Sequence, residues 1–320
     1  MRVEETKDRA LIRRLLEQDP ELHIYELGDL DPFFWPRTRW FVSRSADGVP
    51  SAVCLLYRNP DSVTLVALDR REPSPLPNLL AGLDDHLPDV FYAHLSPGGA
   101  ESLGSRFRVR DRVPAIKMAL VDARAIENAS IAAREPATAR QPRVDRLAPS
   151  DRSAVESFYA AAYPKNWFDP SMLETGCYFG IRDPGTIRDT PSSGSSHTPS
   201  SGGSHTPSSG SSHAPPSGGS DSEDDDSPAP AAPLVCVAGV HVFSPTYHVA
   251  ALGNIATHPS FRRRGFGARV TAELCRHLAT RVKTIGLNVH ADNAAAIACY
   301  RKLGFEEIAR FEEVTLARRD

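Results

Sequence analysis

The chain has 320 residues, enough for about two domains that each bury a core. Its 37 Lys and Arg nearly balance 40 Asp and Glu, and a net charge of −3 gives no reason to expect nucleic acid or an anionic membrane as a partner. Five cysteines (Cys54, Cys177, Cys236, Cys275, Cys299), odd in number and without C-x-x-C spacing, point to a reducing, cytoplasmic setting with no metal site.

The N-terminus is charged and lacks the apolar core of a signal peptide. In the first third, apolar spacing predicts helices at 7–18 and 21–30. Strands follow at 40–44 and 51–57, joined by an Asp47-Gly48 turn, and at 62–68. A helical pattern at 76–87 leads to strands at 90–94 and 115–121. The second half repeats this order. A strand at 143–147 precedes a helix that starts at Ser150 or Asp151 and runs to 162. A short helix at 170–175 and strands at 178–182, 234–243 and 249–257 follow. Residues 228–261 carry no charge, but Pro233, Gly239, residues 244–248 and Gly253 break them into strands and a turn, so they are no transmembrane helix. The repeated order predicts two tandem copies of one α+β fold, a first lobe at 1–125 and a second at 143–320, with a linker at 126–142.

Residues 184–233 are low-complexity. Three copies of Thr-Pro-Ser-Ser-Gly-x-Ser-His cover 190–213, followed by the acidic run Asp221–Asp226. With almost no apolar residues, this segment cannot offset the entropy of ordering its backbone, and it is expected to be a disordered hairpin insertion. Its histidines are read as part of a solvated linker, with metal binding as the alternative. It holds six acids and one Arg, a net of −5, so the rest of the chain carries about +2 (−3 minus −5). That small excess suits an anionic ligand.

The most informative stretch begins where the strand at 249–257 ends. Arg262-Arg263-Arg264-Gly265-Phe266-Gly267-Ala268 leads into a helical pattern of Phe266, Val270, Leu274 and Leu278. Strand, glycine turn and helix make a phosphate site. Glycines let an anion approach the backbone, the first helix amides lack partners, and three arginines add positive field. The spacing is too short for G-x-G-x-x-G, and no Gly-Lys-Ser/Thr follows as in a P-loop. After a strand at 284–289 comes Asn293-Ala294-Ala295-Ala296-Ile297-Ala298-Cys299-Tyr300-Arg301-Lys302-Leu303-Gly304-Phe305. Asn293, Ala296 and Tyr300 share a helix face. Asp292 is the expected N-cap and Gly304 the expected terminator. A last strand is expected at 311–317.

The first stretch resembles the Arg-x-x-Gly-x-Gly/Ala pyrophosphate signature of the GNAT superfamily of acyl-CoA-dependent N-acyltransferases. The second resembles that family's Asn-x-x-Ala-x-x-x-Tyr-x-x-x-Gly-Phe motif. The resemblance implies a GNAT-like mixed sheet flanked by helices, acetyl-CoA as the acyl donor, and direct attack of an amine on the thioester. It implies backbone contacts to the cofactor from Ile255, Ala256 and Thr257, and pyrophosphate contacts from Arg262, Arg263, Arg264, Gly265, Phe266, Gly267 and Ala268. Asn293 and Ala296 would touch the cofactor, and Tyr300 would protonate the departing thiolate. The two-part arrangement also looks like the glycine N-acyltransferase-like branch. The first copy lacks the chemistry, because Asp69-Arg70-Arg71-Glu72-Pro73-Ser74-Pro75 has no glycine, two prolines and two acids.

Family members often place an acid on the strand before the phosphate turn, and 249–257 holds none. His241, His248 and His290 lie nearby and are each read as ordinary strand-end histidines, with a role as the base as the alternative. Tyr159, Tyr163, Trp167, Phe168 and Tyr178 fall near the expected acceptor site and are read as core, with an acceptor wall as the alternative. The expected function is acetyl transfer to a primary amine of a small molecule. The alternatives are acylation of a protein or peptide amine, and a non-catalytic acyl-CoA-binding module.

Overall fold

The computed structural model describes residues 3–319 except 60–61, 105, 133–141, 165, 184 and 186–230. The first lobe runs β1 (Val3–Thr6), α1 (Arg9–Leu16), α2 (Ile24–Gly28), β2 (Thr38–Arg44), β3 (Pro50–Arg58), β4 (Val63–Ala67), α3 (Leu76–Ala81), β5 (Val90–Leu95), α4 (Gly99–Ser102) and β6 (Phe107–Leu120). After α5 (Ala123–Ala132) the order repeats: β7 (Val144–Arg146), α6 (Arg152–Ala162), a 3-10 turn at Pro170–Thr175, β8 (Phe179–Arg182), β9 (Leu234–Ser244), β10 (Val249–Thr257), α7 (Phe266–Ala279), β11 (Thr284–His290), α8 (Ala294–Lys302) and β12 (Phe305–Arg318). The fold is the α+β arrangement expected, in two tandem lobes. No helix among the described residues is long and apolar enough to cross a membrane.

All twelve strands form one sheet in the order β1-β2-β3-β4-β5-β12-β6-β11-β10-β9-β8-β7. The last strand of each lobe is seated in the other. β12 lies between β5 and β6, and β6 lies between β12 and β11. The two long strands pair antiparallel along their whole length, from Phe305↔Leu120 to Arg318↔Phe107. This exchange explains why both extend beyond the apolar runs that mark them in sequence. Residues 108–112 are exposed and, apart from Val109, charged, and their strand conformation comes from β12 rather than from their own pattern. β1 escapes sequence reading for the same reason: it is short and charged, and β2 pairs it.

Helices cover both faces. α3 and α4 pack Leu79, Leu80 and Ala100 against Phe41, Leu65 and Leu95. On the opposite face, α1 and α2 bury Ile12, Leu16, Ile24 and Leu27 with Trp40 and Leu55, and the same cluster takes in Val249, Ala251 and Phe311 of the second lobe. Thus α2 reaches across the sheet. Gly28 lies against Val242, where a Cβ would come within 2.0 Å of its Cγ1, and Gly286 admits the side chain of Ile24. Part of the stretch expected as linker is helical: α5 inserts Ile126 into the second lobe's core.

The low-complexity insertion, apart from Gly185 and residues 231–233, lies outside the described residues. Its two ends meet, since the Asp183 amide donates to the Pro233 carbonyl (2.9 Å) and Arg182 Nη1 to the Ala232 carbonyl (2.8 Å). Replacing 186–230 with a short Gly-containing turn should therefore leave melting temperature and ligand binding nearly unchanged. The closure entropy should shift stability by only about 1–2 kcal/mol in the favourable direction. By contrast, residues 143–320 expressed alone would lack β6 and leave β11 and β12 with open edges. Such a fragment should aggregate or form strand-exchanged dimers on size exclusion, whereas an autonomous second lobe would elute as a folded monomer.

Candidate active site

β10 and β11 run parallel and pair from Val249↔Thr284 to Leu252↔Leu287. Beyond that point β10 leaves its neighbour and a wedge opens between the strands. The cause is local. Gly253 lets the His241 ring lie where a side chain would stand, with ring carbons 2.3 Å from the ideal Cβ position. Asn254 takes a left-handed conformation (φ 54°), and the register with β9 shifts between Gly253 and Ala256. Buried tyrosines hold the distortion in place. Tyr159 Oη donates to the Asn254 carbonyl (2.6 Å), Asn254 Nδ2 donates to Tyr178 Oη (3.2 Å), and Tyr178 Oη donates to the Val240 carbonyl (3.1 Å). The first lobe has no such wedge, because β4 and β5 stay paired to Ala67↔Leu95.

Ile255, Ala256 and Thr257 line the β10 side of the wedge and are half-buried. Thr257 Oγ1 contacts Cys236 Sγ at 3.2 Å, and burial pushes that thiol up to about 11, so it stays protonated. The chain then turns through exposed Arg262, Arg263 (φ 63°) and Arg264 to Gly265 (φ 77°), the N-cap of α7. No side chain caps this helix, and its first intrahelical bond runs from the Arg269 amide to the Gly265 carbonyl (3.1 Å). The amides of Phe266, Gly267 and Ala268 are thus left without intrahelical acceptors at the positive end of a 14-residue helix. Phe266 is buried and anchors the turn. Arg262 Nε donates to the Thr257 carbonyl (3.2 Å), and the Arg264 guanidinium lies 4.9 Å from the Phe261 ring centroid. A Cβ on Gly265 would meet nothing within 4 Å, so the turn faces open space. The corresponding first-lobe loop is filled by its own side chains, where Asp69 accepts from the Arg71 amide and guanidinium and from Ser74.

On the β11 side, α8 is capped by Asn293, whose Oδ1 accepts from the Ala296 amide (3.2 Å). This corrects the expected cap, Asp292: the residue whose side chain reaches the third helical amide is one position later. Gly304 ends the helix with φ 86° as expected. Tyr300 is buried against Phe305, with ring centroids 6.0 Å apart, and its hydroxyl has no hydrogen-bond partner among the described residues. Burial pushes its pKa well up, so it carries its proton at neutral pH.

The structure sorts the remaining candidates. Tyr159 and Tyr178 are core residues that set the strand distortion, Phe168 packs between them, and Tyr163 and Trp167 stand 42% and 67% exposed at the surface. His241 has a sealed, unpaired Nε2, and burial holds its pKa down. His248 sits in the β9–β10 turn, at the far end of β10 from the wedge. His290 ends β11 beside the wedge and is exposed. Sequence reading missed Asn254, although a Gly-Asn pair inside a strand is a bulge signal. It also missed Tyr25 of α2, whose ring lies 4.7 Å from the buried Lys117 ammonium of β6.

A strand that splays from its neighbour, an uncapped helix start beside it and the buried Tyr300 on the following helix make up the candidate site. The family described as FR47-like protein matches residues 244–314. A [ribosomal protein bS18]-alanine N-acetyltransferase of Salmonella typhimurium is 52% identical over 59 residues, 18% of this chain and 40% of the relative. The chain therefore spans less than half the length of the curated relatives it matches. Over whole chains, a Drosophila protein of solved structure superposes with a TM-score of 0.62 at 14% identity, covering 98% of both. A GCN5-related N-acetyltransferase from Sphaerobacter thermophilus does so with 0.53 at 10% identity, covering 99% of this chain and 95% of that one. Residues 244–314 thus match one family model, and the whole chain shares its fold with a GCN5-related N-acetyltransferase of solved structure.

Gly267 gives a direct test of the turn. A Cβ there would lie 3.4 Å from Thr257 Oγ1, an ordinary contact, so Gly267→Asp should fold. Its carboxylate would repel an anion at the helix start, and CoA affinity measured by calorimetry should fall by at least about tenfold. Unchanged affinity in the folded variant would remove the turn from the binding site.

Proposed function

We propose that the second lobe is an acyl-CoA-dependent N-acetyltransferase that passes an acetyl group from acetyl-CoA to a primary amine of a small molecule. The observation that carries this reading is the wedge between β10 and β11, with the free amides of α7 at one end and Tyr300 on the helix that follows β11. The residues fit the donor. The backbone of Ile255, Ala256 and Thr257 would pair with the pantetheine amides, as a strand edge does. The amides of Gly265–Ala268 and the Arg262–Arg264 side chains would hold the pyrophosphate. Asn293 Oδ1 is already engaged with the Ala296 amide, so its part would be to hold the helix start beside the donor; Ala296, half-buried on the same turn, would supply apolar contact.

The neutral acceptor nitrogen attacks the thioester carbon, the N–C bond forms, the C–S bond breaks, the thiolate takes the Tyr300 proton, and the proton shed by the new amide nitrogen restores the Tyr300 hydroxyl. The acceptor would approach from the face that α2 covers. That face is closed over β9–β11 by a helix of the other lobe, which favours a small molecule. The second reading is a protein or peptide α-amine, favoured by the names of the relatives matched over 59 residues. A non-catalytic acyl-CoA-binding module is opposed by the placement of Tyr300.

Thiol release from acetyl-CoA, screened over amino acids, polyamines, aminoglycosides and alanyl peptides, separates these readings; CoA binding with no thiol release would leave only the binding module. Tyr300→Phe keeps the ring packing and removes the proton donor. Its kcat should fall about 10²-fold, the low end for positioned acid catalysis because thiolate is a fair leaving group, with CoA affinity unchanged. Wild-type kcat in this variant would reduce Tyr300 to a packing residue.

A further inference from the structure

β10 carries no acid or base, yet an ionised amine must lose a proton before it attacks. Past Leu287, β11 is paired only on its β6 side, through Asn288↔Lys117, Val289↔Ile116 and His290↔Ala115. Leu287 and Val289 point into the core with α7 and α8, so Asn288 and His290 face the α2 side, where the acceptor would enter. His290 Nε2 lies 3.3 Å from Glu313 Oε2, and the His290 side chain is 54% exposed while that of Glu313 is 15% exposed. The same Oε2 accepts a short hydrogen bond from Tyr92 Oη, and Glu313 Oε1 lies 4.0 Å from His94 Nε2. Glu313 comes from the exchanged strand β12, Tyr92 and His94 from β5 of the first lobe, and His290 from the second. The Tyr25 ring of α2 lies beside the Lys117 ammonium, on the strand that pairs with this end of β11.

Resting on the transferase reading, we propose that His290 is the proton acceptor for the amine, and that Glu313, held by Tyr92 of the other lobe, positions it. Glu313 faces Nε2 and leaves Nδ1 to take the proton, the orienting logic of a carboxylate–histidine pair. An acceptor ammonium gives one proton to Nδ1, its lone pair forms the N–C bond, the C–S bond breaks as Tyr300 protonates the sulfur, and the second proton shed by the new amide nitrogen restores the Tyr300 hydroxyl. The imidazolium formed is compensated by Glu313. The other groups facing this cluster are Lys117 of β6, buried over the Tyr25 ring at 4.7 Å, and Glu26 of α2, paired with His23 at 3.0 Å. Burial holds the His94 pKa down to about 4, so that ring is neutral and does not compete for the Glu313 charge. The first lobe is then part of the catalytic machinery and not only a scaffold.

The test uses the full chain and acceptors that differ in their need for a base. Thiol release is followed with spermidine and an alanyl tripeptide, which are ionised at neutral pH, and with hydroxylamine, a weaker base that is already unprotonated. For His290→Gln, kcat/KM with the ionised acceptor that the wild type uses should fall by at least about 10²-fold, while hydroxylamine should lose no more than about threefold. Glu313→Gln and Tyr92→Phe should show the same split at about tenfold, as expected of positioning residues. CoA affinity by calorimetry should match wild type in all three. An equal loss on both kinds of acceptor, or no loss, overturns the base assignment while leaving the transferase reading intact. A wild-type chain that binds CoA and releases no thiol with any of these acceptors overturns both.

Discussion

The antiparallel ladder between β6 and β12 is the constraint on which the rest of the molecule depends. Each strand closes the lobe it does not belong to, so neither lobe has a complete sheet alone. Every ladder hydrogen bond adds only about 1 kcal/mol net, but the pairing also abolishes two strand edges in the centre of the sheet. It sets the phase of everything on either side. β11 is fixed against β6, which puts Asn288 and His290 on the α2 face, and β12 carries Glu313 into the gap between His290 and Tyr92.

With the sheet fixed, the two lobes differ in how their fourth and fifth strands part. β4 and β5 stay paired to the end, and the following loop is filled by Asp69 and Arg71. β10 is bent away by Gly253 and Asn254, and the following loop presents backbone amides to open space. One copy of the fold has thus kept the opening while the other has lent its helix α2 to cover the opposite face. The strand distortion depends on buried partners: Tyr159 and Tyr178 satisfy the polar groups that the missing ladder bonds would leave exposed inside the core. Loss of either hydroxyl would leave a buried backbone carbonyl or side-chain amide unpaired, a cost of about 1–3 kcal/mol.

Local signals carried much of this in the sequence. Alternating apolar residues marked nearly every strand, the Phe266–Leu278 spacing marked α7, and Gly265 and Gly304 marked the turns that need left-handed backbone. The Gly265 turn and the Tyr300 helix were legible because short-range geometry alone sets them: a glycine turn before a helix and residues three and seven positions apart. The aromatic cluster divided between core and surface, a distinction that spacing near a helix end does not make.

What the sequence by itself determined is the set of elements, their repeated order and the glycine turn and helix of the candidate site, since these follow from periodicity and turn chemistry within a few residues. The tertiary structure alone decided the exchange of β6 and β12, the cover of α2 over β9–β11, and the meeting of Tyr92, His290 and Glu313. Those contacts join residues some 200 positions apart (92 to 290 and 313) through strand register, and register is fixed by which strands become neighbours, a choice that no local pattern encodes.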